Sequence, residues 1–213
     1  MGAFALNNWN DKQIESREEV LLLKNVLDDL KAESIHFENC LHELVLQIEV
    51  VDRLIIDAID EDSSYLHPSS SFLRWSTIFR PITSKNHDEA ASSIANNEVR
   101  KAIQEYFLVV EYTQESFDDY EEITLDWIRP YMRKTGMHIL SELNQGFAPS
   151  IDSDANDLVM KLNPEVLKRE LQRTEFQQLL FEKKLKTNEF AGNLEIVLLA
   201  NQEMIKLLNE KLN

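Results

Sequence analysis

The chain has 213 residues, 43% of them hydrophobic and 28% charged, with only 4 glycines, 5 prolines and a single cysteine. Glycine and proline this scarce leave few sharp turns, which argues against sandwiches, barrels and doubly wound sheets and for a few long helices. The balance of 22 basic against 38 acidic residues, a net charge of -16, argues against nucleic acid or an anionic membrane face as a partner.

The first eleven residues, Met1 to Asp11, open with an uncharged apolar stretch that stops at Asn7-Asn8-Trp9-Asn10-Asp11. From Val20 the apolar residues recur at alternating steps of three and four: Val20, Leu23, Leu27, Leu30, Ser34, Phe37, Leu41, Leu44, Ile48, Val51, Ile55 and Ala58. A pattern sustained over more than five heptads predicts one long helix packed against partner helices. A flanking row of Leu22, Val26, Val45, Ile56 and Ile59 widens the stripe beyond a two-stranded seam, so the helix belongs in a bundle.

Serine pairs and His67-Pro68 stop the pattern, and Ser69 to Ser71 are placed to cap a short helix through about Phe79. Arg80 to Ser93 is polar and aperiodic and reads as a loop. A third helix is expected from Asn96 or Asn97, on Val99, Ile103, Tyr106, Val110, Phe117, Tyr120 and Trp127, with Pro130 kinking or ending it. Residues 135–163 read as a loop with one short helix at most. Asn163-Pro164-Glu165 then restarts a helix expected to reach Asn213, through Leu167, Leu171, Leu180, Leu185, Phe190, Leu194, Leu198, Ile205, Leu208 and Leu212, with a bend near Gly192. The expected fold is therefore all-α: an elongated helix bundle with long N- and C-terminal helices packed antiparallel and shorter helices between them. Its expected organisation is residues 1–11 as the end of a membrane span with its interface, and residues 12–213 as a single helical-bundle domain.

Few chemistries have a complete residue set. His36, Cys40 and His42 are the nearest thing to a ligand cluster, but His42 points about 120° from the face shared by the other two. Glu33 and His36 form a Glu-x-x-His pair, yet a di-iron bundle needs a second such pair and two more carboxylates. The acidic run around Glu115 to Asp126 lacks the alternating ligands and central glycine of a calcium loop and reads as a solvated helix face. Cys40 reads as a small core hydrophobe, and Trp75 with Phe79 and Trp127 with Tyr131 as core aromatic pairs. No phosphate loop, nucleophile elbow or Cys-x-x-Cys occurs. No catalytic residue, cofactor or metal is expected.

Ala3-Phe4-Ala5-Leu6-Asn7-Asn8-Trp9-Asn10-Asp11 resembles the junction in an uncharacterised family, a domain of unknown function, of single-span bacterial membrane proteins. Their hydrophobic span ends in Ala-Leu-x-Ile-Asn-Asn-Trp-Asn-Glu and continues into a long helix. The segment Ser92 to Phe107 resembles that family's Leu-Ile-x-Asn-x-Glu-Leu-Arg stretch, and Trp127 to Lys134 its Ile-Ile-Pro-Tyr-Leu stretch. The departures are the missing span and Asp88-Glu89-Ala90-Ala91-Ser92-Ser93 in place of the family's Ser-Gly turn. The resemblance carries over no catalytic role. It implies a helical domain in the cell envelope, held outside the cytoplasm by an inner-membrane anchor, with Phe4, Leu6, Asn7, Asn8 and Trp9 at the membrane interface. Trp9 is of the amphipathic type enriched there.

The function expected from all this is a non-catalytic, membrane-tethered, extracytoplasmic interaction or sensor-like module. Its expected partners are a protein or a second copy through the helix seams, and the membrane through an N-terminal span mostly absent from this chain. A soluble cytoplasmic coiled-coil scaffold is the alternative, and a metal-dependent bundle enzyme the second.

Overall fold

The computed structural model describes residues 2–59, 72–138 and 162–212, and the side chains of these from Arg17 onward. It is an all-α helix bundle. In chain order the helices are α1 (Gly2–Ile59), α2 (Ile82–Ala91), α3 (Asn97–Glu122), a π-helical segment (Ile123–Ile128), α4 (Arg129–Thr135), α5 (Pro164–Leu171) and α6 (Thr174–Leu212). The described chain divides into two compact units.

The first unit comprises Met1–Asn39, Phe79–Gln114 and Asn193–Asn213. Glu19 meets Asn96 and Glu33 meets Tyr106, so α1 and α3 run parallel. Lys211 pairs with Glu98 and Thr113 reaches the Asn193 carbonyl, so α6 runs against them both. The long α1 and α6 pack antiparallel, joined directly where Asn201 donates to the Leu30 carbonyl. Leu30, Phe37, Ile94, Val99, Leu194, Val197 and Leu208 are fully buried here, with Phe37 stacked on Phe79 at 5.2 Å.

The second unit comprises Cys40–Ile78 and Glu115–Gly192. Its core joins Val51, Leu54, Leu73, Ile128, Met132, Leu167, Phe176 and Leu180, and Tyr131 stacks on Phe176 at 5.2 Å. Glu170 is buried and satisfied by the Tyr131 hydroxyl at 2.9 Å and by Arg169 and Arg173.

Several expectations are corrected. Residues 72–74 form only a 3₁₀ turn and 75–81 are irregular rather than helical, because this strap is held by side chains: Arg129 Nε donates to the Arg74 carbonyl, and Thr77 N–H to the Tyr120 hydroxyl. The Ser69 to Ser71 cap lies outside the described residues. Arg80 to Ser93, read as a loop, contains α2. That helix buries only Thr83 and Ala91 and is fastened by polar contacts instead, so it shows no apolar period. Pro130 does not end the third helix. The Arg129 N–H bonds the Thr124 carbonyl five residues back, and this wide turn carries the chain past the residue that lacks a donor.

Gly136, at φ +71°, ends α4. Its N–H bonds the Arg133 carbonyl while the Met137 N–H bonds that of Met132, the paired bonds of a Schellman cap. The C-terminal helix, expected to be continuous from Asn163, breaks at Gln172 and Arg173, where the Arg173 N–H turns back to the Glu170 carbonyl. Gly192 makes no break, since α6 runs through it. Caps at Asn96 and Asn163 are as expected, each accepting two backbone N–H bonds. Trp75 and Trp127 are exposed rather than core residues, though Phe79 and Tyr131 are buried. Val20 and Leu185 are exposed too.

Candidate functional site

The seams that hold these helices carry polar residues at fixed intervals, and these are the chemically distinctive positions of the chain. In α6 the residues Phe176, Leu180, Lys183, Thr187, Phe190, Leu194, Val197, Asn201, Met204 and Leu208 alternate by four and three, and all are buried. Lys183, Thr187 and Asn201 thus sit in core positions. In α1 the buried series passes through Glu33 and Gln47.

In the first unit Glu33 is fully buried. One carboxylate oxygen accepts the Thr83 N–H at the start of α2 at 2.6 Å, and the other accepts the Tyr106 hydroxyl at 2.6 Å. Asn201 donates to the same tyrosine oxygen at 3.2 Å. The positive end of α2, through the Thr83 N–H, and the Tyr106 hydroxyl thereby gather on one carboxylate, with Asn201 bonded behind the tyrosine. Burial raises the Glu33 carboxyl above its ordinary value, the bonds from Tyr106 and Thr83 opposing it. Burial, reinforced by Glu33, also pushes the Tyr106 hydroxyl well up. One turn earlier on α1, Asp29 accepts from His87 and Asn86 of α2, both at 2.9 Å. Two carboxylates four residues apart therefore clip α2 to α1.

In the second unit the hub is Tyr120, fully buried. Its hydroxyl donates to Gln47 Oε1 at 2.8 Å and accepts the Thr77 N–H at 3.0 Å, while burial pushes it up to about 12. The Thr77 hydroxyl donates to Glu43 at 2.5 Å. Lys183 lies with Nζ 4.0 Å from the Tyr120 ring centroid and donates to Thr124 Oγ1 at 2.5 Å, and Thr124 in turn donates to the Tyr120 carbonyl. No carboxylate pairs with Lys183 among the described residues. Burial, and secondarily the nearby Arg129, lower its amine well below the usual lysine range. A cation over an aromatic face would favour the charged form, but desolvation is the larger effect for an amine with one neutral partner.

The ligand-like residues noted in the sequence do not converge. Cys40 is buried and donates to the Ile78 carbonyl at 3.0 Å, and burial raises its thiol, which makes it a poor nucleophile. His42 is exposed, while Cys40 is buried. Among the described residues no group of three or more His, Cys, Asp or Glu could hold a metal ion. Phe4, Leu6, Asn7, Asn8 and Trp9 have helical backbone within α1, and their side chains lie outside the described residues. Among the described residues no helix is long and apolar enough to cross a membrane. Glu33 was visible in the sequence only as half of a Glu-x-x-His pair. Lys183 was not visible at all, because a lysine among leucines reads as a surface residue; the only signal was the strict four-three alternation around it. Comparison with protein-family models, curated proteins and solved structures finds no match.

Proposed function

We propose that the chain is a non-catalytic helical interaction or sensor-like module, tethered to a membrane through its N-terminus and working outside the cytoplasm. The observation that carries this reading is the continuity of α1, a single helix from Gly2 to Ile59. The apolar stretch and the Asn-Asn-Trp motif lie on the same helix as the core seam from Leu23 to Ala58. A tether on such a helix continues into the bundle without a flexible joint, so movement or force at the membrane end is passed to the packed seam.

The buried polar groups support the non-catalytic part. Glu33, Tyr106, Tyr120 and Lys183 have acid-base character shifted by burial, yet each is sealed within the packing and spends its bonds on other elements of its unit. A catalytic acid or base must reach a substrate proton. These groups act as bolts that fix register, a role for which buried polar residues are well attested.

The test is fractionation of the product expressed from its own gene. The protein should sediment with membranes and resist extraction at alkaline pH, while the present 213 residues alone should stay in the supernatant. Release of the native product by alkaline or high-salt washing would contradict the tether and favour the cytoplasmic scaffold.

A further inference from the structure

The α2 helix buries only Thr83 and Ala91, so it brings almost no apolar surface to its unit. Two carboxylates of α1 fasten it instead. Asp29 accepts from Asn86 and His87, both at 2.9 Å, and Glu33 accepts the Thr83 N–H at 2.6 Å. An element with few buried apolar contacts belongs to the low-stability end of a fold, and its opening is governed by the bonds that hold it. Here those bonds end on groups that titrate.

Glu33 is fully buried, and among the described residues no lysine or arginine pairs with it. From α2 it meets the amides of Ile82 and Thr83, and from α3 the Tyr106 hydroxyl at 2.6 Å, with Asn201 of α6 bonded behind the tyrosine at 3.2 Å. The remaining ionisable residues within a turn of these contacts are Asp29 and His36 on α1, His87 bonded to Asp29, and the exposed Lys85, Asp88 and Glu89 of α2, Glu105 of α3 and Glu203 of α6. The cluster also has room in its bonding for one more proton. With a proton on Glu33, the 2.6 Å contact to Tyr106 stays and its donor is reversed, so the tyrosine O–H turns to a new acceptor. Asn201 supplies one, since its amide is already bonded to Tyr106 and its Oδ1 is buried with no hydrogen-bond partner.

We propose that α2 is a pH-operated latch of the first unit, closed on α1 while Glu33 holds a proton and Asp29 holds a charged His87, and opening as both protons leave on the alkaline side. Burial raises the Glu33 carboxyl above its ordinary 4.5, outweighing the bonds from Tyr106 and Thr83, and lifting α2 admits water and returns the group toward that ordinary value. The closed state therefore holds a proton that the open state has lost. The part of the closure that Glu33 supplies is complete below pH 4.5 and is lost as pH rises through the raised value. Imidazole as a class loses its charge between pH 5 and 8, which turns the Asp29 contact from a charge pair into an ordinary hydrogen bond, so both carboxylates act with one sign. Opening bares an ionised carboxylate on the α1 seam, a change of surface that a partner can read. The latch goes beyond the tethered reading and does not depend on it.

The experiment follows amide hydrogen exchange in the 213-residue chain at pH 5, 6.5 and 8, expressed as protection factors so that the intrinsic pH dependence of exchange is divided out. Each proton released changes an opening equilibrium by up to about tenfold per pH unit, so the amides of residues 84–91 should lose protection on the order of tenfold or more between pH 5 and pH 8. The amides of α3 from Ile103 to Val110 should keep theirs. Glu33→Gln, a neutral isostere, should hold most of the protection at pH 8, and its double variant with His87→Gln should show no pH slope. Glu105→Gln, an exposed carboxylate change on α3, should retain the wild-type slope. Protection of α2 that is flat with pH or falls toward pH 5 would overturn the proposal, as would a wild-type slope in Glu33→Gln with its helical circular dichroism intact. If Glu33→Gln does not fold, the Glu33 carboxyl carbon resonance of the wild-type chain decides. Titration above 4.5, in step with the loss of α2 protection, upholds the latch, and titration at or below that value overturns it.

Discussion

Replacing Lys183 by methionine should make the protein more stable. The amine is fully buried, has one neutral hydrogen-bond partner and is held below its ordinary value by burial. Methionine keeps the length and apolar stem and removes the group whose charged form burial penalises. The loss is one hydrogen bond to a hydroxyl, about 1 kcal/mol, and Thr124 keeps its own bond to the Tyr120 carbonyl. Replacing even a buried ion pair by apolar residues of similar volume is often neutral or stabilising by about 1–4 kcal/mol, and Lys183 has no carboxylate partner to lose among the described residues, so a net gain of about 1–3 kcal/mol at pH 7 is expected. For a chain of this size that raises the melting temperature by roughly 3–10 °C. The pH dependence fixes the cause. The folded-state value lies below the ordinary 10.5 and the unfolded chain keeps the ordinary one, so between the two the unfolded state binds more protons and wild-type stability rises with pH. That slope, at most about 1.4 kcal/mol per pH unit, should vanish in Lys183→Met, and the two proteins should converge as pH approaches 10.5. Urea denaturation followed by circular dichroism from pH 6 to 10 measures both. A variant less stable than wild type at pH 7, with the pH slope unchanged, would show that the amine is charged and well compensated, which refutes the reasoning.

Leu44→Asp puts an unpaired carboxylate into a fully buried seam position and should cost about 3 kcal/mol or more, whereas Glu49→Ala on the exposed face should stay within about 0.5 kcal/mol, both by urea denaturation. The two glycines that interrupt helical sequence should respond oppositely to alanine in thermal melts. Gly136→Ala forces a side chain into φ +71° and should destabilise by about 1 kcal/mol, while Gly192→Ala meets nothing within 4 Å inside α6 and should stabilise by about 0.5–1 kcal/mol. Asn163→Ala removes the acceptor for two N–H groups at the start of α5 and should cost about 1 kcal/mol, a loss that Asn163→Ser largely avoids.

What the sequence made legible follows from how each segment is held. The long helices show because aliphatic residues carry most of their seams: Phe37, Leu44, Val51 and Ala58 are buried as their spacing predicts. The other half of the α1 seam is displaced by one residue, with Glu33, Cys40, Gln47 and Leu54 buried and Ser34, Leu41, Ile48 and Ile55 only half-buried. At Gln47 hydropathy picks the apolar neighbour Ile48, whereas the structure buries the polar residue that has a partner in Tyr120. The same preference chose Leu185 over Lys183. The α2 helix was missed because carboxylates on α1 dock it, and the π-helical turn because a proline in a helix reads as a stop. The polar networks were illegible for one reason, since each depends on partners far away in the chain, from 34 residues for Thr77 with Glu43 to 171 for Leu30 with Asn201.

The central claim is that the bundle works on the far side of a membrane, joined to it through the start of α1. The most direct measurement fuses a periplasmic-active phosphatase, or in parallel a cytoplasm-active galactosidase, to Asn213 of the product expressed from its native gene in a bacterial host. The account predicts strong phosphatase activity in membrane-bound product and little galactosidase activity. Galactosidase activity alone, from protein recovered in the soluble fraction, would contradict it.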